Sequence, residues 1–265
     1  MPLTYRHTVD GPGTAHSIPL DVPLHGRPPA RFRDGEVLTL QYRTDPEAIA
    51  ALLPAPLVAA GDTVMVQVAR WGDVPGLGRD THEANVMVAA ELTTATGEVV
   101  RGAYSPYFFV DSDRAMAGGR EFHGQPKRMA EVSLETRGDL VVGRVARNGI
   151  DVFTGTLPYK SVPATFDDVR RRVDLVTNIN LKVVPHIDGT TAVRQLTRRD
   201  LHDVDVHECW QGPGTAEVRP NPQAPLYRLP VREHLEGFYW SVEFSLVGGT
   251  VLHDYEARPV LQAGD

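Results

Sequence analysis

The residues best suited to chemistry lie in one short stretch, Gly118-Gly119-Arg120-Glu121-Phe122-His123-Gly124-Gln125-Pro126-Lys127-Arg128-Met129-Ala130. Glycine and proline punctuate it, yet it is rich in ionisable side chains. Pro126 biases Gln125 toward an extended backbone and so fixes how the chain enters Lys127. A lysine held this way can serve as an amine nucleophile that forms a Schiff base with a ketone, provided its surroundings lower its pKa. A free lysine, with a pKa near ~10.4, is almost wholly protonated at neutral pH. Burial in an apolar pocket is what would depress it. The plain alternative is a solvated Lys-Arg pair on a loop.

Other constellations carry less. His202-Asp203-Val204-Asp205-Val206-His207-Glu208-Cys209 contains metal-capable side chains, and alternation on a strand would put Asp203, Asp205 and His207 on one face. No second Cys/His cluster completes a zinc site, so no metal is expected. There is no Gly-x-Ser-x-Gly elbow for a serine nucleophile. The single cysteine, Cys209, excludes an intramolecular disulfide framework and reads as a packing residue. Gly72 to Gly78 reads as a glycine-bearing loop without the pattern of a phosphate cradle.

These side chains must be positioned by a β-rich scaffold. The chain has 265 residues, enough for a sizeable core, and its 21 prolines and 24 glycines imply many turns and few long helices. Strands are expected at Val37–Tyr42, Val64–Ala69, Asn85–Leu92 and Ala103–Val110. A hairpin follows at Val132–Thr136 and Leu140–Val145, with Asp151–Leu157 pairing beside it. Leu181–Val184 and Thr191–Thr197 flank the turn at Asp188-Gly189, and the last strands are Val204–Trp210, Phe238–Leu246 and Thr250–Tyr255. Two helices are expected. One starts at the Thr44/Glu47 capping pattern and stops at Pro54; the other spans Thr165–Leu175. Residues 1–30 read as an arm, and the whole chain as one domain. A net charge of -7 argues against nucleic-acid and anionic-membrane partners. No apolar run approaches a membrane span, and Met1 to Gly13 lacks a signal-peptide core, so a cytoplasmic location is expected.

Along most of its length the chain resembles the acetoacetate decarboxylase superfamily. The carrying segments are Tyr42-Arg43-Thr44-Asp45 with Pro54-Ala55-Pro56-Leu57, Gly76-Leu77-Gly78, Gly119-Arg120-Glu121 leading to Pro126-Lys127, and Leu181-Lys182-Val183-Val184-Pro185. They continue in Asp205-Val206-His207-Glu208-Cys209-Trp210-Gln211-Gly212-Pro213 and Ala224-Pro225-Leu226 with Leu229-Pro230-Val231. Each piece is weak alone, but their order and spacing are specific to the superfamily. The resemblance implies an α+β fold, predominantly antiparallel β: a cone-shaped β-barrel with a few packed helices, assembled as a homo-oligomer. It implies a lyase acting on a small-molecule keto acid without metal or organic cofactor, because the imine of Lys127 serves as the electron sink. The enzyme that names the family exemplifies such an activated lysine.

The departures bear on the reaction. Arg128 stands where decarboxylases carry a second lysine. Gly35 stands where an arginine near the substrate is typical, and Gln67 where a pocket glutamate is. A second pocket glutamate corresponds to Glu83 after a one-residue shift, although His82 is the gap-free match. His123 replaces the small residue of decarboxylases or the glutamine of aldolase-type relatives, and Tyr255 is the nearest match to their C-terminal acid or tyrosine. Lys127, Glu83, His123 and Tyr255 are therefore the catalytic candidates, with His123 as an acid or base near neutral pH. Arg128, Arg120, Gln67 and Gln125 are expected at the substrate, the arginines as carboxylate or structural partners. Phe108, Phe122, Met129, Val66 and Trp240 are expected in the apolar wall. Decarboxylation of a β-keto acid is the leading reaction. Aldol condensation with dehydration from pyruvate or a similar ketone is the alternative, and a non-covalent metabolite pocket is the reading from another class.

Overall fold

The structure, a computed structural model, describes residues 17–19 and 22–256. Much of the expected N-terminal arm, residues 1–16, 20 and 21, therefore lies outside the described residues. In chain order the elements are β1 (Ala30–Arg43), α1 (Pro46–Ala50), β2 (Val58–Val74), β3 (Gly78–Thr93), β4 (Val99–Val110) and α2 (Asp113–Gly118). A π-helical turn (Gly119–His123) then leads into β5 (Lys127–Met129), β6 (Glu131–Arg137), β7 (Leu140–Arg147), β8 (Ile150–Pro158), β9 (Val162–Pro163) and α3 (Phe166–Arg170). The last elements among the described residues are β10 (Thr177–Pro185), β11 (Thr191–Pro213), β12 (Thr215–Val218), a 3-10 turn (Leu226–Arg228), β13 (Glu233–Leu246) and β14 (Thr250–Asp254).

The large sheet runs β10-β11-β13-β1-β2-β3-β4-β5, and a parallel pairing of β10 with β4 closes it into a barrel. A second sheet, β12-β8-β7-β6, packs against its outside. The fold is thus α+β and mostly antiparallel, as the sequence implied. Val37 to Tyr42 is buried throughout because both faces of β1 are covered. Leu38, Leu40 and Tyr42 face the second sheet with Val68, Val145, Phe153 and Leu157. Val37 faces the barrel interior with Phe32, Trp71, Trp240 and Phe244.

Both expected helices are shorter than the sequence suggested. α1 is little more than one turn, and its N-cap Asp45 makes no side-chain cap bond because its carboxylate pairs with Arg232 at 2.7 Å. The Thr44 hydroxyl is buried without a partner, so the Thr44/Glu47 capping box does not form. α3 does carry a capping box, between Thr165 and Asp168, but ends at Arg170. Beyond it Val173 and Leu175 enter the barrel core, where burial outweighs helix continuation. The expected Gly72–Gly78 loop is mostly strand: β2 and β3 run to a turn of three residues, 75–77.

Candidate active site

Lys127 reaches the barrel interior through its strand register. β5 pairs parallel to β4 with Phe108 opposite Lys127, and Phe108 is opposite Asn85 on β3. Asn85 is opposite Gln67 on β2, which is opposite Thr39 on β1. Residues that face one another across a ladder share a sheet face, so this row presents its side chains to one cavity. Glu83, two residues before Asn85, is on the same face.

The turn before Lys127 is shaped around it. A Cβ on Gly119 would lie 2.5 Å from Lys127 Cδ and 2.7 Å from Gln125 Oε1, so only glycine lets the lysine lie across this turn. Gly124 ends the π-helical turn at φ 73°, a left-handed conformation that favours glycine. The Gln125 amide donates to the Gly119 carbonyl at 3.0 Å, and the Lys127 amide to the Gln125 carbonyl at 2.8 Å. The glycine punctuation of the sequence is thus the geometry of the lysine mount.

Lys127 is 5% exposed and Glu83 8%. Lys127 Nζ donates to Glu83 Oε1 at 2.5 Å and lies 4.6 Å from the centroid of the Phe108 ring. Trp71 Nε1 donates to the other carboxylate oxygen at 3.3 Å and orients it. Burial holds the Lys127 pKa below its ordinary value; Glu83 opposes this and the Arg199 guanidinium adds to it. Phe108, Gln67, Gln125, Trp240 and Glu83 line the same cavity of about 70 Å³ as Lys127. A second chamber of about 60 Å³ adjoins it, sharing Phe32, Gln125, Lys127 and Leu246, with Phe122 and His123 in its wall.

Several expected site residues stand elsewhere. His82 points away from the cavity and pairs with Asp111 at 2.9 Å, which leaves Glu83 as the pocket residue. Arg128 alternates with Lys127 along β5, is exposed, and donates to the Gln223 carbonyl at 2.9 Å. Arg120 is exposed and donates to the Lys127 carbonyl at 3.4 Å, supporting the mount rather than facing the cavity. Glu121 pairs with His25 at 2.8 Å. Tyr255 follows β14, and its hydroxyl donates to the Ala55 carbonyl on the outer core. Met129 packs behind Phe108 with Val110 and Ala115. Val66, adjacent to inward Gln67, faces the second sheet instead. His123 is the sharpest correction. Burial first, then the cations of Arg199, Lys127 and Lys182, pull its pKa down to about 3. Its imidazole is therefore neutral at physiological pH and has no proton of ordinary acidity to give.

The metal-capable stretch on β11 does not gather into a site. Register breaks between His202 and Asp205 and between Val206 and Glu208 interrupt its alternation. No group of three or more His, Cys, Asp or Glu suited to a metal occurs among the described residues. Cys209 is buried, and burial raises its thiol to about 11.

Sequence reasoning missed Arg199, Asn85 and Trp71. Arg199 is 7% exposed, lines the Lys127 cavity, and donates through Nη2 to Asn178 Oδ1 at 3.0 Å. Its pKa, lowered by burial to about 10, leaves it cationic at neutral pH. The strand signal reads as ending at Thr197, two residues short of it. Arg199 Nε and Asn85 Oδ1 have no hydrogen-bond partner among the described residues, although both belong to residues lining the cavity. Gly35 lies within β1. An added Cβ there would meet Trp71 Cζ3 at 2.6 Å and the Val242 carbonyl oxygen at 2.7 Å, so Trp71 fills the space an arginine would need.

Comparison with known proteins is consistent over nearly the whole chain. A family model described as acetoacetate decarboxylase matches residues 17–256. Acetoacetate decarboxylase 1 of Mesorhizobium japonicum is 34% identical over 93% of this chain and 97% of its own. The crystal structure of acetoacetate decarboxylase from Legionella pneumophila superposes with a TM-score of 0.82 at 30% identity, covering 89% of this chain and 92% of that one. The enduracididine biosynthesis enzyme MppR, in complex with a condensation product of pyruvate and imidazole 4-carboxaldehyde, shares the fold at a TM-score of 0.77 and 23% identity, over 92% of this chain and 100% of its own.

Proposed function

Since this chain belongs to the acetoacetate decarboxylase family, we propose that it is a Schiff-base lyase that decarboxylates a β-keto acid through an imine on Lys127. The observation that carries the reading is the Lys127–Glu83 pair: an amine with depressed pKa, buried against an aromatic face, with a carboxylate at 2.5 Å. The free amine attacks the ketone carbon. Glu83, steadied by Trp71, takes and returns the protons that let water leave the carbinolamine. The protonated imine then draws electrons as the bond to the carboxylate breaks. Carbon dioxide departs, an enamine forms, and protonation followed by hydrolysis releases the ketone and the amine. No metal or organic cofactor is needed for this electron flow.

Condensation of pyruvate or a similar ketone with an aldehyde is the second reading. The two chambers that meet at Lys127 favour it, since a second carbonyl compound could occupy the farther one. The test is borohydride reduction in the presence of acetoacetate and, separately, pyruvate. An adduct on the Lys127 peptide that is absent from Lys127→Ala supports the imine, and the keto acid that is consumed under turnover chooses the reaction. No adduct with either, nor with longer keto acids, would refute both readings and leave a non-covalent pocket.

A further inference from the structure

The lysine amine stands where two chambers meet, and both are lined largely by apolar side chains. The inner one sets Glu83, Gln67, Asn85 and Arg199 in a wall that is otherwise mostly apolar. The outer one is lined by Leu77, Ala115 and Phe122, by Phe32 and Leu246 shared with the inner one, and by His25, Arg27 and the neutral imidazole of His123. A buried cationic side chain whose Nε–H has no protein partner is costly unless a ligand or water satisfies it. The inner cavity also needs an anion. Once Lys127 is an iminium, it and Arg199 carry two positive charges against the single carboxylate of Glu83.

We propose that the substrate is a 3-oxo acid larger than acetoacetate: its carboxylate is held by Arg199 in the inner chamber, and an apolar substituent of about two to four carbon atoms fills the outer one. This rests on the Lys127 imine reading and names the substrate for it. The ketone carbon is bonded to Lys127 Nζ between the chambers, so the two arms of the substrate diverge from that point. The cation reaches the cavity from β11, while Trp71 closes the position at Gly35. Arg199 holds the carboxylate before the reaction, and that charge is leaving as carbon dioxide forms. Its contribution therefore falls on binding rather than on the chemical step. The outer chamber adds apolar contact for each further methylene of the substrate.

The test uses the intact protein with acetoacetate, 3-oxohexanoate and benzoylacetate, and borohydride trapping of the neutral ketone 2-pentanone. We expect kcat/KM to rise roughly 3- to 4-fold per added methylene until the outer chamber is full. Ala115→Leu should abolish that rise while sparing acetoacetate. Leu77→Phe, on the turn at the chamber's edge, makes the same test should the helix variant fail to fold. Arg199→Gln should raise KM for the oxo acids about 10- to 100-fold and change kcat little, compared on the plateau of each pH profile. Arg199→Lys should recover part of the loss. Trapping of 2-pentanone on Lys127 should persist in both Arg199 variants. Equal loss with every substrate in both chamber variants would make the outer chamber a passage and overturn the proposal, as would trapping of the neutral ketone falling in step with the oxo acids in Arg199→Gln. Failure of 2-pentanone to trap on the wild type would instead overturn the imine reading beneath it.

Discussion

His123 offers a quantitative check on the electrostatics of the site. Its pKa falls from 6.5 to about 3 on folding, chiefly through burial, with the nearby cations adding to it. A histidine with a depressed folded pKa contributes fully above its unfolded value. Between 6.5 and 3 the unfolded chain binds a proton that the folded chain refuses, so stability falls as pH falls through that window. Each unit of difference is worth about 1.4 kcal/mol. The loss attributable to this one ring is about 3 kcal/mol at pH 4 and about 4–5 kcal/mol below pH 3. Against a typical net stability of about 5–15 kcal/mol, that is a large share. Chemical denaturation of wild type and His123→Gln, run in parallel from pH 7.5 to 3, isolates it, because the carboxylates common to both proteins cancel in the difference. The wild type should lose stability faster below pH 6.5, and the two curves should run parallel above it. A difference that stays flat from pH 7 to 3 would refute the burial argument. A wild type that gains stability relative to the variant on acidification would show instead that the ring is charged in the fold.

Further outcomes follow for Gly119, Glu83 and Gly35. Gly119→Ala places a methyl group in the space of Lys127 Cδ and should cut borohydride adduct formation at least about 10-fold while leaving the circular dichroism of the sheet intact. Glu83→Gln removes the group that raises the Lys127 pKa, so the acid limb of trapping against pH should move to lower pH. In the same variant, kcat should fall about 100-fold for want of the proton carrier, which steady-state rates at the plateau would measure. Gly35→Arg, which would supply the arginine that the family resemblance leads one to expect there, should lower the thermal midpoint rather than raise activity, because the side chain meets Trp71 and the Val242 carbonyl.

Much of the scaffold was legible because barrel strands are long and their burial is repetitive. Val37–Tyr42 and Ala103–Val110 are apolar enough to mark themselves as strands without any partner in view. Lys127 was legible through the order of motifs around it. What escaped reading was direction. Arg128 and Lys127 are adjacent, and nothing local says which one enters the barrel; the parallel pairing to β4 decides it. Val66 and Gln67 pose the same problem on β2, and there the polar member of the pair faces inward because the cavity is polar at that level. His82 and Glu83 could be separated only by the β2–β3 register, which places Glu83 opposite Ala69 and turns His82 toward Asp111.

Arg199 escaped for a further reason. Arg198-Arg199-Asp200 reads as a charge run, and charge runs are ordinarily solvated. On β11 the run is split by alternation. Arg198 pairs with Asp200 at 2.9 Å on the half-exposed side, while Arg199 goes inward to Asn178. The solvated neighbours conceal the buried one in the sequence. Its burial makes sense only when the whole cavity is considered: Trp71 occupies the room above Gly35 and orients Glu83, so the same side chain both excludes a cation from β1 and fixes the carboxylate that partners the lysine. On the proposed mechanism an iminium forms beside a bound carboxylate, and the cation that would hold that carboxylate comes from β11, which β10 joins to β4 at the closure.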